Sequence, residues 1–215
     1  AILVLNQQDS TLNCYADGVS VFNSRHKLNM LYNGTGALIF GRTNENDRTA
    51  SQYYQGRMME ARLWYSAMSG GQLDTYARHR LTGYEKNLVD YYPLDEGSGK
   101  YATDRTQGAN AMLIGADWAL PRGMSLRIEK EDNGFELTQD ALNRTSEQDY
   151  TLMFWFKTDA DGRGTLLSNG RGMKEDSGAE YQFNIGFEGE KLMYRSNGFA
   201  TEVAGDWSDN KWHHY

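Results

Sequence analysis

The chain stops on DNKWHHY, residues 209–215, and these residues belong in the middle of a strand rather than at its end. Aromatic and imidazole rings packed this densely need neighbours along the ladder, and an exposed strand edge at a terminus invites association. The reading of the whole fold turns on where the rest of that strand lies.

Composition narrows the answer. The 215 residues are 39% hydrophobic, enough to bury a core, and all-β sandwiches of this length commonly form one domain. Lys and Arg number 22 against 29 Asp and Glu, a net charge of −7 that repels phosphate backbones and anionic lipid. Nucleic acid is therefore not expected as a partner. Cys14 is the single cysteine, so neither an internal disulfide nor a Cys-x-x-Cys metal cluster can form, and it reads as a small buried apolar residue. No run approaches the roughly 18 apolar residues of a membrane span, and no charged-then-apolar leader opens the segment. Asn33-Gly34-Thr35 and Asn143-Arg144-Thr145 fit the glycosylation sequon, a match that arises often by chance.

Along the chain the dominant signal is short alternating strands punctuated by Gly, Asn and Asp. TLNCYADGVSVF (11–22) puts Leu12, Cys14 and Ala16 on one face, and Asp17-Gly18 supplies the positive φ angles of a tight hairpin. GALIFG (36–41), GRMMEARLWY (56–65), NLVDYYPL (87–94), YTLMFWFKT (150–158), GTLLSNG (164–170) and YQFNIGFEGEKLMYRSNG (181–198) read as further strands, the last a hairpin about Glu188-Gly189. Trp155, Leu63, Ala61, Leu12 and Cys14 are expected on inward faces. The one good helix is SGGQLDTYARHRLTG (69–83), with Ser69 as cap, Gln72 as capping-box partner, an apolar stripe of Leu73, Tyr76 and Ala77, and Gly83 as terminator. Many strands, two prolines and one connector helix argue for a two-sheet antiparallel sandwich.

Here a family resemblance enters. GRMMEARLWYSAMS (56–69) resembles the closing strand of laminin G-like domains, with Gly56, Met58, Glu60, Ala61, Arg62, Leu63, Trp64, Ala67, Met68 and Ser69 on the motif positions and Met59 in place of its Asp. YTLMFWFKT is similar to the early strand ending in Trp-x-Lys-Thr, GTLLSNG to the next, CYADG to a later strand and turn, and KWHHY to the family's Trp-His-His-Val-Ala strand. The resemblance implies the all-β, concanavalin A-like jelly roll, a two-sheet antiparallel sandwich.

The order of the motifs differs from the family's, and the difference answers the opening question. In the family the Trp-His-His strand precedes the Tyr-Ala-Asp-Gly turn; here they lie at 212–214 and 15–18. Writing the end before the beginning gives DNKWHHY followed by AILVLNQQDSTLNCYADG, one strand, a loop and the next strand. LVDYYPLDEGSGKYATDRTQGANAMLIGADW, from residue 88 on, resembles the start of such a domain. Residues 1–69 thus read as the second half of a jelly roll, 70–87 as a helical connector and 88–215 as the first half. One permuted domain, one period of a tandem array, and head-to-tail complementation between copies all give this order. The closed domain is favoured because half a sandwich would expose apolar faces at about 25 cal/mol per Å².

The chemistry-bearing residues form no catalytic set. His213 and His214 alternate across a strand and cannot chelate one metal, so a packed His beside a surface His is expected; His26 and His79 have no His or Cys neighbour. Glycosidases on this fold use paired carboxylates, but Glu188 and Glu190 flank a hairpin glycine, Glu60 and Arg62 share a strand face as a pair, and Asp95-Glu96 sits in a glycine-rich loop. The family resemblance makes calcium a candidate cofactor, with Asp104 and Asn110, or Asn44, Glu45, Asn46 and Asp47, as oxygen donors. Tyr32, Tyr53, Tyr54 and Tyr101, in or near loops, are candidate rings for gripping a ligand.

The expected function is a non-catalytic extracellular recognition or adhesion module for glycan or protein, secreted or on a bacterial cell surface, as the family resemblance implies. A structural spacer or self-associating repeat comes next, and a glycoside hydrolase or lyase last.

Overall fold

The computed structural model describes residues 2–6, 8–25, 38–42, 53–119, 125–129, 133–137, 149–160, 162–169, 183–196 and 199–214. His26, Tyr32, both sequons and the 44–48 loop lie outside the described residues.

The strands are β1 (Ile2–Asn6), β2 (Thr11–Ala16), β3 (Val19–Arg25), β4 (Leu38–Phe40), β5 (Gly56–Trp64), β6 (Leu88–Tyr92), β7 (Tyr101–Ala102), β8 (Ala111–Ile114) and β9 (Asp117–Trp118). They continue with β10 (Leu126–Ile128), β11 (Gly134–Leu137), β12 (Tyr150–Lys157), β13 (Arg163–Asn169), β14 (Phe183–Glu188), β15 (Lys191–Ser196), β16 (Phe199–Ala204) and β17 (His213–His214). Helix α1 (Gly70–Ala77) lies between β5 and β6. One sheet runs β3-β2-β1-β12-β5-β10-β9, with β17 on β12 and β6 on β5; the other runs β16-β15-β14-β13-β4-β11-β8-β7. The strand ladders are antiparallel throughout, so the molecule is an all-β two-sheet sandwich with one short helix.

Between the sheets the alternating side chains meet as the period of two requires. β12 contributes Leu152, Phe154 and Phe156, β2 contributes Leu12, Cys14 and Ala16, and β5 contributes Met58, Ala61 and Leu63. Phe40 stacks on Phe135 at 4.5 Å and meets Phe154 edge-on at 5.5 Å. Full burial of each such ring is worth roughly 1.5–3 kcal/mol. Trp155 is the exception among the five residues expected inside. Phe154 and Phe156 occupy the inward positions on either side of it, so alternation sends its half-buried indole to the outer face beside Met153.

β5 changes phase halfway along. Its register against β12 passes from Arg62 opposite Met153 to Met59 opposite Trp155, and Glu60 takes φ 58°. This bulge inserts one residue. It returns Met58 to the core while Glu60 and Arg62 remain an ion pair on the outer face, as their spacing suggested.

The β2–β3 hairpin turns through Asp17 (φ 50°) and Gly18 (φ 82°), with Ala16 opposite Val19. Positive φ at both central residues is the turn whose twist matches its strands. The β14–β15 hairpin turns one residue later than expected: Glu188 still pairs with Lys191, leaving Gly189-Glu190 as the loop.

At the seam, β17 and β1 lie end to end along the same side of β12. His213 faces Phe156 and His214 faces Trp155; then Ile2 faces Met153 and Leu5 faces Tyr150. Ile2, Leu3, Val4 and Leu5 are all buried, on both faces of the sheet. Strands covered on both sides read as unbroken apolar runs, which is how AILVL reads.

The outer cover at that point is helix α1. Ile2, Val4, Trp64, Met153 and Tyr91 pack beneath Met68, Leu73 and Leu81. The Ser69–Gln72 capping box forms, Gln72 Oε1 accepting from the Ser69 N–H at 3.0 Å. The helix ends at Ala77, short of Gly83. Arg62 reaches up from β5, donating to the carbonyl oxygens of Tyr76 and of His79 (2.9 Å), while pairing with Glu60 and lying over the Tyr91 ring. A guanidinium thus satisfies end carbonyls that the helix leaves open and complements its dipole. Gly83 has a different duty: at φ 93° its Cα passes so near the Arg105 carbonyl that a Cβ would sit 2.2 Å from the oxygen.

Candidate functional site

The residues singled out for ligand contact are dispersed. Tyr53 is half-buried, its backbone bridged to Thr165. Tyr54 is 0% exposed, against the expectation of a loop aromatic. Its hydroxyl lies 2.8 Å from the Arg57 and Lys157 carbonyl oxygens and accepts the Lys157 N–H at 3.0 Å, and burial drives its acidity far down. This ring is a core pillar between β5 and β12, unavailable to a ligand. Tyr101 is 54% exposed on β7, opposite the exposed Met112 on β8.

The carboxylates are likewise accounted for. Asp104 is buried and accepts from the N–H groups of Tyr91 (3.0 Å) and Thr106 (2.9 Å) and the Thr106 hydroxyl (2.7 Å), while Asn110 Oδ1 accepts its N–H at 3.2 Å. A calcium ion here would have to displace donors that shape the loop. Among the described residues no group of three or more His, Cys, Asp or Glu could hold a metal. Glu188 is paired with Arg195 at 2.8 Å, Glu190 is exposed in its turn, and Asp95 pairs with Arg80 and Arg105.

What the fold does bring together is a groove of about 340 Å³ between α1 and the seam. Its floor is Ile2, Trp155 and His214; Tyr15, Asp17 and Gly18 form one wall, and Gly70, Leu73, Asp74 and Ala77 of the helix, with Arg78 just past its end, the other. Sheet parity puts the rings there: Ile2 is opposite Tyr15 on one side, and His214 opposite Trp155 on the other. The Trp155 indole stacks on His214 at 4.6 Å, with 30° between planes. Asp17, Asp74 and Arg78 are exposed around it.

Both histidines differ from the expected buried-and-surface pair, since His213 is 8% and His214 3% exposed. They do take opposite sides: His214 faces the groove, and His213 packs against Phe156 and Trp207. Burial above all, with the positive charges of Arg62 and Arg78, pushes the His214 imidazole far below its usual range. That shift favours the neutral ring, and its Nε2 has no hydrogen-bond partner among the described residues.

Sequence reasoning missed this groove although a signal existed. In Phe-Trp-Phe the two phenylalanines claim the core, so parity alone assigns Trp155 to the opposite face. The helix wall could not be placed that way, because its docking depends on Arg62 and on the apolar outer face of β1.

No helix among the described residues is long and apolar enough to cross a membrane. Comparison with family models, curated proteins and solved structures finds no match, while the two-sheet antiparallel sandwich is compatible with a jelly roll.

Proposed function

We propose that the chain is a laminin G-like jelly roll serving as a non-catalytic recognition module outside the cell, which holds a glycan in the groove over Trp155. The observation that carries this reading is the groove itself, where a half-buried indole meets carboxylates and a guanidinium at its rim. A pyranose ring has apolar C–H faces and hydroxyl edges. The indole suits the faces. Asp17 and Asp74 accept from hydroxyls and Arg78 donates to them. The described carboxylates favour binding over turnover, since Glu60, Glu188 and Asp95 pair with arginines, Glu96 accepts the Thr103 N–H, and Glu190 lies in solvent.

The test is a glycan-array screen followed by calorimetry. Trp155→Ala is expected to weaken the best ligand by at least about tenfold with the fold retained, and Tyr53→Ala to leave affinity unchanged. Equal affinity in the Trp155 variant would refute the groove, and release of reducing sugar that disappears in Glu188→Gln/Glu190→Gln would make the protein an enzyme.

A second reading, a structural repeat, is favoured by the seam. Among the described residues β17 meets β12 at two pairs before β1 takes over, a short hold that a strand from another copy could displace. Concentration-dependent mass in sedimentation would support that reading, and a strictly monomeric chain would count against it.

A further inference from the structure

The His213 ring is held between two carboxylates. Its Nδ1 lies 3.1 Å from Asp17 Oδ2 and its Nε2 3.0 Å from Asp209 Oδ1. An ionised carboxylate only accepts, so both contacts are hydrogen bonds only when both ring nitrogens carry protons. The two nitrogens point in opposite directions, which also prevents the three side chains from sharing a metal. Asp209 stays ionised: a hydrogen bond from the Lys211 ammonium above all, then the Lys211 N–H and His213, bring its carboxyl down to about 2.

Asp17 connects this cluster to the groove. Its Oδ1 accepts the His214 N–H at 2.9 Å and its own N–H donates to the His214 carbonyl at 3.3 Å, so the hairpin tip is tied to β17. Among the described residues the charged groups facing His213 are Asp17 from the β2–β3 turn and Asp209 from the loop before β17, with Lys211 paired to Asp209 and itself felt by Asp206. β12 and the 205–208 segment present the Phe156 and Trp207 rings, each centred 5.5 Å away.

We infer that His213 is a proton-operated latch on the groove wall. Doubly protonated, it clamps Asp17 to Asp209 and fixes the hairpin tip. When the ring gives up one proton, a lone pair faces one carboxylate oxygen, one of the two links is lost, and the wall loosens. The consequence for ligand rests on the glycan reading above; the latch itself does not.

The latch is tested on the intact chain by nitrogen-15 spectra of the histidine rings from pH 5 to 9, alongside hydrogen exchange corrected for its intrinsic pH dependence. At the acid end both His213 ring nitrogens should be protonated and the Asp17 and His214 amides protected. As one proton leaves, the protection of those two amides should fall about tenfold or more, as expected for one charge-assisted hydrogen bond. Asp209→Asn should move both events together to lower pH and leave the β14–β15 amides unchanged. A single neutral tautomer throughout, or protection that does not follow the His213 protons, would overturn the latch, and the wild-type spectra decide this even if the variant does not fold. A latch that operates in a protein binding no glycan would sink only the functional reading.

Discussion

Tyr54 and His214 show how one atom's surroundings set the effect of a substitution. Tyr54→Phe keeps the ring and removes a hydroxyl to which the Lys157 N–H donates, stranding a buried donor. The expected loss is about 1–3 kcal/mol, read as a lower urea midpoint at unchanged slope. For His214 the sign follows from burial. Its folded-state pKa is depressed, so below the unfolded value near 6.5 the unfolded chain takes up a proton that the folded one refuses. Stability is full above that pH and falls below it by up to ~1.4 kcal/mol per unit. Comparing Tm between pH 4 and 8 with His214→Phe isolates this slope, and the variant should be flatter. An identical slope in both would show that the ring is not buried neutral.

At the scale of elements, helix α1 hangs on Arg62. Removing the guanidinium takes a part-buried donor from the Tyr76 and His79 carbonyl oxygens and the countercharge from Glu60, which keeps the Tyr91 hydroxyl at 2.9 Å. Arg62→Met is expected to cost about 3 kcal/mol and to speed exchange of the α1 amides more than those of β14 and β15. Gly83→Ala should also destabilise, because a Cβ meets backbone there and not a yielding side chain. The strands and the Asp17-Gly18 turn were legible in the sequence because period two and a positive-φ dipeptide are local signals. The helix start was legible through its capping box, but its end was not, since the residue that captures its last carbonyls lies 14 positions from Tyr76 in the chain. The Glu60 bulge was hidden for the same reason. Nothing in the residue itself marks a positive φ, which the register against β12 imposes. Tyr54 and Trp155 exchanged their expected roles because exposure is decided by the opposing sheet and by the helix above.

For the whole molecule the decisive feature is the seam, where the sequence's broken strand becomes two segments on one partner. A permutant that joins residue 215 to residue 1 and opens the chain between Lys86 and Asn87, both exposed, should keep the sandwich. Because His214 lies opposite Trp155 and Ile2 opposite Met153, the joined strand carries a one-residue bulge, yet it replaces two loose ends, so its Tm is expected to rise by at least about 2 °C, the equivalent of ~1 kcal/mol at this size. Loss of the near-ultraviolet circular dichroism of the aromatic core would argue that the two halves do not belong to one domain.

The seam also sets how the protein meets mechanical load. Tension applied at residues 2 and 214 acts on neighbouring points of one sheet, so each strand is peeled from β12 a pair at a time instead of being sheared along its length. Among the described residues β17 holds two pairs, Trp155 with His214 and Phe156 with His213, and should give way first. The Asp17 contacts to His213 and His214 should yield with it. In single-molecule pulling the chain should therefore lengthen at low force and in steps, behaving as a compliant extender and not as a rigid strut.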